Sequence, residues 1–295
     1  MAADLARVAQ AIEFIEAHLQ SPITVADMAA AVAYSLYYFG RMFSQATHHP
    51  PYDYLMRRRL SEAAQALLQT DRRIIDIALD YQFNNPETFS RAFKRMFDLQ
   101  PSQLRRQGHI GQQRLMPRLT PAHLRHLHTG LHPRPVLEER QAFQVVGVMA
   151  RMSEDRATVA ELWALLIREL HTLKDNVLPT DLCGIVLFPQ DWEQHGPLYM
   201  AGIQSHRQDC PSPILVVKTI PVLKYARFVH RGPVQELSLT LDYVFHTWLP
   251  RSGHCLSHPL ILEQSAPDGI ASNATERQVL VPVQALPRAP NQWQG

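Results

Sequence analysis

Ser35-Leu-Tyr-Tyr-Phe39-Gly-Arg41-Met-Phe43 returns fifty residues later as Asn85-Pro-Glu-Thr-Phe89-Ser-Arg91-Ala-Phe93. Each copy begins with a residue that favours a helix N-cap, carries aromatic residues at helical spacing, and has an arginine at the equivalent position. A short apolar helical stretch and a turn precede each copy. This agreement predicts two helix-turn-helix units within residues 1–107, an almost continuously helical part of the chain.

The first unit carries clear signals for where its helices begin. The spacing Thr24-x-x-Asp27 predicts a capping box, and Ser35 is predicted to cap the following helix. On that helix Phe39 and Phe43 lie four residues apart and must face the core. The predicted exposed side therefore carries Tyr37, Arg41, Ser44 and Gln45.

The second unit repeats this division. Asn85 is the predicted N-cap, and Pro86 takes the first helical position, where its missing N–H costs nothing. Phe89 and Phe93 face inward at the same spacing as their counterparts in the first unit. The predicted exposed side carries Glu87, Thr88, Arg91, Lys94 and Arg95.

A helix that is anchored on one face and polar on the other is typical of a DNA recognition helix. Arginine can make a bidentate contact to guanine, and threonine can touch the methyl group of thymine. Other polar residues are better placed for phosphates, namely Ser35, Asn84, Asn85, Lys94 and Arg95. The alternative is an ordinary helical bundle with solvated arginines, but the agreement between two copies favours DNA reading.

Charge and spacing support the same partner. Residues 1–134 carry a net charge of +5 and residues 135–295 a net charge of −3, so a polyanion would bind the first half. A helix over 52–68 spans roughly 25 Å. It could hold two recognition helices one DNA turn apart, about 34 Å. We therefore expect double-stranded DNA as the partner.

The length of 295 residues predicts two domains. The helical domain covers 1–107, and the Gly-, Pro- and His-rich stretch 108–134 suits a linker. Residues 135–288 read as a second, α+β domain made of two β-α-β-β repeats, followed by a tail at 289–295.

Several classes of protein are disfavoured by the sequence. It has no long apolar run and no export signal, which predicts a soluble, cytoplasmic protein. Its three cysteines are widely spaced and indicate neither a disulfide framework nor a zinc finger. Common nucleotide-binding and nucleophile motifs are lacking, so neither a cofactor nor an enzyme is expected. Histidines in the linker could gather a metal, but no cysteine or carboxylate joins them, and no metal site is predicted.

The second domain contains one unusual acid. Glu263 lies in an otherwise apolar predicted strand, where a carboxylate is costly unless it faces solvent or meets a cation. An acid within an aromatic cage is a good receptor for an organic cation. The candidate cage consists of Trp192, Tyr199, Tyr225, Phe228 and Trp248. One alternative remains open: Trp248 and Phe228 are core residues, and Glu263 is a charge at a strand edge.

Residues 8–107 resemble the DNA-binding domain of AraC/XylS-type transcriptional regulators. The likeness rests on Val25-Ala-Asp-Met-Ala-Ala, Tyr54-Leu-Met-Arg-Arg-Arg-Leu, Ile74-Ile-Asp-Ile-Ala78, Phe83-Asn-Asn and the two helices quoted first. It implies binding to asymmetric promoter sites and contact with RNA polymerase. Gly40 departs from the pattern, because relatives often have a larger polar residue there.

Residues 136–287 resemble the gyrase-inhibitor-like effector-binding domain. The likeness rests on Lys224-Tyr-Ala-Arg-Phe-Val-His-Arg-Gly-Pro233, Pro259-Leu-Ile-Leu-Glu263 and Val281-Pro282. It implies two β-α-β-β halves around a cleft, with Glu263 facing a small, amphipathic or cationic effector, in a Rob-type order of domains. We expect a ligand-responsive transcription regulator. The alternatives are a DNA-binding regulator without ligand control and a hydrolase fused to a DNA-binding domain. The hydrolase alternative follows from the resemblance of some gyrase-inhibitor-like proteins to hydrolases, and it implies that Glu263 and Tyr225 form an acid–base pair.

Overall fold

The computed structural model describes residues 2–111, 114–131, 134–152, 157–172, 182–205, 212–265 and 276–286. They form two compact units, which combine Met1–Thr129 with Leu241–Thr247, and Gly130–Thr240 with Trp248–Gly295. The predicted tail at 289–295 lies outside the described residues. No helix within the described ranges is long and apolar enough to cross a membrane.

The part of the first unit before residue 130 contains eight α-helices among its described residues. They are α1 (Ala2–Ala17), α2 (Val25–Ala31), α3 (Leu36–Thr47), α4 (Pro51–Gln69), α5 (Ile74–Asp80), α6 (Pro86–Phe97), α7 (Pro101–Gln107) and α8 (Pro121–Arg125). The predicted capping box is confirmed, because Thr24 accepts the Asp27 backbone N–H while the Asp27 carboxylate accepts that of Thr24. The two predicted helix-turn-helix units correspond to α2 with α3 and α5 with α6.

The core of this unit is built around α4. Tyr54, Leu55 and Ala64 on α4 are fully buried, and the ring of Tyr54 lies 5.7 Å from that of Phe43 on α3. Phe93 on α6 joins the same core. The central helix predicted between the two units is thus confirmed, and it packs against both α3 and α6.

The predicted linker is partly folded onto the helical unit. Arg58 on α4 binds the Glu16 carboxylate at 2.8 Å and donates to the carbonyl of Met116 at 2.7 Å. Met116, Leu119 and Leu124 are all buried in the helical core. Residues up to α8 therefore belong to the helical unit and do not form a free spacer. The Gly-, Pro- and His-rich composition of the segment had indicated a linker because its few apolar residues show no helical spacing.

The rest of the chain supplies nine described strands and three helices. The strands are β1 (Val136–Arg140), β2 (Phe143–Arg151), β3 (Leu182–Leu187), β4 (Leu198–Ser205), β5 (Val216–Ile220), β6 (Leu223–Arg231), β7 (His254–Leu256), β8 (Leu260–Ser265) and β9 (Glu276–Ala285). The helices are α9 (Ala157–Thr172), α10 (Trp192–His195) and α11 (Leu237–Tyr243). A π-helical turn, Val244–Trp248, continues α11.

The sheet confirms the predicted duplication. Its strand order is β1-β6-β9-β8-β3-β4-β2-β5, with β7 paired to β9. The first repeat is β2-α9-β3-β4, and the second is β6-α11-β8-β9. Counted outward from the junction between the repeats, each places its second strand first, then its third strand, then its first strand. The repeats meet where β3 and β8 pair antiparallel, which places Glu263 at the centre of the sheet.

Candidate functional sites

Helix α3 presents a polar and aromatic outer face. Ser35 caps it by accepting the Tyr38 backbone N–H at 3.3 Å, as predicted, and Phe39 and Phe43 are buried beneath it. Tyr37 is 79% exposed, and the Arg41 guanidinium lies 5.7 Å from the Tyr38 ring centre, within range of a cation–π contact. Of the other predicted reading residues on this helix, Gln45 is exposed and Ser44 is half-buried.

Helix α6 presents a strongly charged outer face. The Asn85 side chain caps it by accepting the backbone N–H of Glu87 at 2.7 Å, which confirms the predicted N-cap. Beside the helix lies a groove of about 930 Å³, lined by Pro86, Glu87, Ser90, Arg91, Lys94, Arg95, Asp98 and Gln100. Asn84, Asn85 and Thr88 are exposed at the start of the same helix. All the residues predicted to read or anchor DNA here are therefore on the surface.

Several cations elsewhere in the unit are paired with acids, unlike those on these two helices. Arg58 is buried against Glu16, and Arg73 is paired with Asp76 at 2.9 Å. Among the residues that the structure describes, neither Arg91 nor Lys94 has a carboxylate within ion-pair distance, and the same holds for Arg41. These groups keep their charge available for an anionic partner such as a phosphate. Ser90 of the groove was missed by the sequence analysis, although its spacing from Lys94 indicates the same side of the helix.

Glu263 lies in a hydrogen-bonded chain on one face of the sheet. Its side chain is 5% exposed, and its Oε2 accepts the Tyr199 hydroxyl at 3.1 Å. Trp163 on α9 donates its Nε1–H to the Tyr199 oxygen at 3.2 Å. Glu263 is thus a buried carboxylate that accepts a hydrogen bond from Tyr199, and such a carboxylate attracts a cationic ligand more strongly than a neutral one.

Gly184 makes room for this chain of contacts. It pairs with Glu263 across the β3–β8 junction, and a Cβ on Gly184 would lie 2.2 Å from the Tyr199 hydroxyl oxygen. Any larger residue would push Tyr199 away from the carboxylate. The sequence analysis missed both Gly184 and Trp163, although a glycine within a strand indicates close approach of another group.

Tyr225 does not belong to the predicted cage. Phe228 and Glu263 both pair with Val279 and therefore share one face of the sheet, whereas Tyr225 pairs with Pro282. Because side chains alternate along a strand, Tyr225 and Phe228, three residues apart, point to opposite faces. Burial raises the pKa of the Tyr225 hydroxyl to about 12. The proposed acid–base pair with Glu263 is accordingly wrong.

The two predicted tryptophans have different neighbours. Trp248 packs edge-on against Phe228, with 5.1 Å between ring centres, and so lies beside the face that carries Glu263. Trp192 on α10 packs instead against Phe188, also at 5.1 Å, beyond the end of β3. The structure therefore brings Tyr199, Phe228 and Trp248 to the Glu263 side and gives Trp192 a separate aromatic contact.

Comparison with known proteins identifies both parts of the chain. Residues 28–107 match a helix-turn-helix domain family of the AraC type, and residues 133–283 match the GyrI-like small molecule binding domain. These matches define a class of protein in which a DNA-binding module is joined to a ligand-binding one. The chain belongs to the GyrI-like small molecule binding family and carries an AraC-type helix-turn-helix domain, which confirms both predicted resemblances.

Named relatives match the helical part. The transcriptional regulator Rob of Salmonella typhimurium is 43% identical over 93 residues, which cover 32% of each chain. The regulatory protein SoxS of Escherichia coli K12 is 42% identical over 94 residues, covering 32% of this chain and 88% of SoxS. An AraC-type regulator structure from Chromobacterium violaceum shares 29% identity, covering 37% of this chain and 96% of its own, with a TM-score of 0.35. The match thus spans about a third of Rob and most of SoxS.

Proposed function

We propose that this protein is a sequence-specific DNA-binding transcription regulator that responds to a small-molecule effector. The observation that carries the proposal is the pair of helices α3 and α6. They bury phenylalanines at equivalent positions, and their outward cations have no carboxylate within ion-pair distance in the part of the chain that the structure describes. The AraC-type family and the names of the relatives Rob and SoxS support it. The protein would work in the cytoplasm, at promoters, together with RNA polymerase.

In this proposal the two outer faces divide the contacts with DNA. Arg41 and Arg91 lie near the middle of their helices and would contact base edges, where arginine prefers guanine. Lys94 and Arg95 lie near the end of α6 and would contact phosphates. Ser35, Asn84 and Asn85, at the helix starts, would contribute further phosphate contacts.

The salt dependence of binding tests the phosphate assignment. Replacing Lys94 with alanine should weaken binding to all duplexes alike and reduce the slope of log K against log salt by about 0.9, the value for one phosphate contact. Filter-binding titrations at four salt concentrations would measure the slope. Lys218→Ala is the matched control, because Lys218 is an exposed lysine on β5 in the other unit. An unchanged slope for Lys94→Ala would contradict the assignment.

For the second unit we propose an amphipathic or cationic effector that binds beside Glu263. The carboxylate would attract the positive group of the ligand, and the half-buried Trp248 would offer aromatic surface. Tyr199 and Phe228 are fully buried and would support the site from within the core. Gly184 would keep Tyr199 in place. A catalytic role is not proposed, because the one acid–base partner suggested for Glu263, Tyr225, lies on the opposite face of the sheet.

Replacing Glu263 with glutamine tests the charge argument while keeping the shape of the side chain. Since interactions with a charged group contribute about 1.5–3 kcal/mol, affinity for cationic dyes should fall by about tenfold or more. Affinity for neutral aromatic dyes of similar size should change little. Isothermal calorimetry with the two sets of dyes measures both, and Glu276→Gln, at an exposed position at the start of β9, is the control. Equal losses for both sets would rule out charge recognition.

A regulator without ligand control is the second candidate. It predicts the same DNA binding, but no change in transcription when a small molecule that binds beside Glu263 is added. Transcription from a bound promoter, measured with and without a dye that binds the wild type, separates the two candidates. A response that disappears in Glu263→Gln would support effector control.

A further inference from the structure

One side of α3 carries no charge at all. Leu36, Gly40 and Ser44 are spaced four residues apart and therefore form a single row along the helix. Leu36 occupies the first helical position and is 55% exposed. The fold therefore buries less than half of this leucine, and the rest of its apolar surface is open to solvent.

Gly40 leaves a gap in the middle of this row. A Cβ on Gly40 would meet no atom within 4 Å, and its backbone is ordinary helix. The fold therefore does not require glycine here, and glycine destabilises a helix interior relative to alanine. A residue that costs stability without serving the fold indicates a role in contact with something outside the chain.

The equivalent row on α6 has a different character. With the fifty-residue offset, Leu36, Gly40 and Ser44 correspond to Pro86, Ser90 and Lys94. The row on α6 thus ends in a cation suited to phosphate, whereas the row on α3 begins with an exposed apolar side chain and continues with bare backbone. On the same side, α6 therefore offers a charged contact, whereas α3 offers an apolar one.

We propose that Leu36 contacts thymine methyl groups in the major groove and that Gly40 lets α3 approach the bases closely. The thymine 5-methyl is the one apolar group that a base pair presents in this groove, and the N-terminal part of a recognition helix is the part that reaches base edges. Helix α3 would then select thymine at its half-site by apolar contact. This inference rests on the proposed DNA-binding function.

Deoxyuridine substitution tests the inference, because uracil differs from thymine only by the methyl group. Duplexes are first selected from a random pool with the full-length protein, and each thymine of the selected duplex is then replaced singly by deoxyuridine. At one or two positions the wild type should lose about fourfold in affinity, the value for one buried methyl group. Electrophoretic titration gives the affinities.

Variants assign the effect to the proposed residues. Leu36→Lys should bind the thymine and deoxyuridine duplexes equally at those positions. Leu137→Lys, the same change at a leucine that is 57% exposed in the other unit, should keep the wild-type difference. Gly40→Ala should raise the melting temperature yet reduce sensitivity to the methyl group, since the added Cβ holds the helix away from the bases.

The possible outcomes distinguish a failure of this inference from a failure of the proposed DNA-binding function. If the wild type binds its selected duplex but tolerates deoxyuridine at every position, methyl recognition is wrong and DNA binding stands. The inference also fails if Leu36→Lys keeps the wild-type sensitivity. If no duplex is enriched from the random pool, both the inference and the proposed function are overturned.

Discussion

Helices α3 and α6 are two versions of one element. Each has twelve residues, begins directly after a capping side chain, and ends at a residue with left-handed backbone, His48 at φ 58° and Asp98 at φ 56°. Each buries phenylalanines four residues apart. Their outer faces, however, share little apart from Arg41 and Arg91. Packing and capping determine the residues at the inner positions, whereas the residues at the outer positions can differ between the two helices.

The difference in charge is the clearest part of this divergence. Arg95 on α6 corresponds to Gln45 on α3, and Lys94 corresponds to Ser44, so α6 carries two further cations at its C-terminal end. Cations at that end also interact favourably with the helix dipole. On this basis we expect α6 to supply more of the phosphate contact and α3 to supply more contact through neutral groups.

The largest expected effects concern the shared interior. Phe43 and Phe93 are both fully buried, so replacing either with alanine should lower the free energy of unfolding of the helical unit by about 3–5 kcal/mol. Urea unfolding followed by far-ultraviolet circular dichroism measures the loss. Similar values for the two variants are expected, and Tyr37→Ala, at an exposed position on α3, is the control. A large cost at one phenylalanine only would contradict equivalent packing.

A smaller difference is expected at the caps. Asn85 accepts backbone N–H groups from Glu87 at 2.7 Å and Thr88 at 3.4 Å, whereas Ser35 accepts one from Tyr38 at 3.3 Å. Each alanine substitution should cost about 1 kcal/mol, with Asn85→Ala the more costly. The same unfolding experiment measures both. A greater loss at Ser35 would show that these hydrogen bonds do not set the stability of the caps.

The helical unit could be predicted closely because its signals are local. A capping residue and aromatics at helical spacing determine where α3 and α6 begin and which way each side chain points. Even the exposed residues on α6 followed from Phe89 and Phe93 facing inward. The docking of Met116 and Leu119 could not be predicted, since it depends on contacts with α4 that are distant in sequence.

The effector site was harder to predict because it depends on how distant strands pair. Nothing local shows that Gly184 lies opposite Glu263, or that Trp163 reaches Tyr199 from α9. Strand β1 was not predicted, because the charged residues Glu138 and Arg140 make its sequence as polar as that of a typical loop. The two arginines beside Glu138, Arg140 and Arg227, lower the pKa of its carboxyl group against the effect of burial. The error at Tyr225 was avoidable, since the two-residue period of a strand separates it from Phe228.

The proposed difference between the two reading helices can be measured through their shared arginines. Arg41→Ala and Arg91→Ala are each titrated in a gel-shift assay against a panel of duplexes that covers every single base change in a selected site. We expect each variant to lose about 1–3 kcal/mol of discrimination, and to lose it at its own base positions, separated by about one DNA turn. Wild-type affinity and base preference in both variants, or loss at one common position, would contradict reading by two helices.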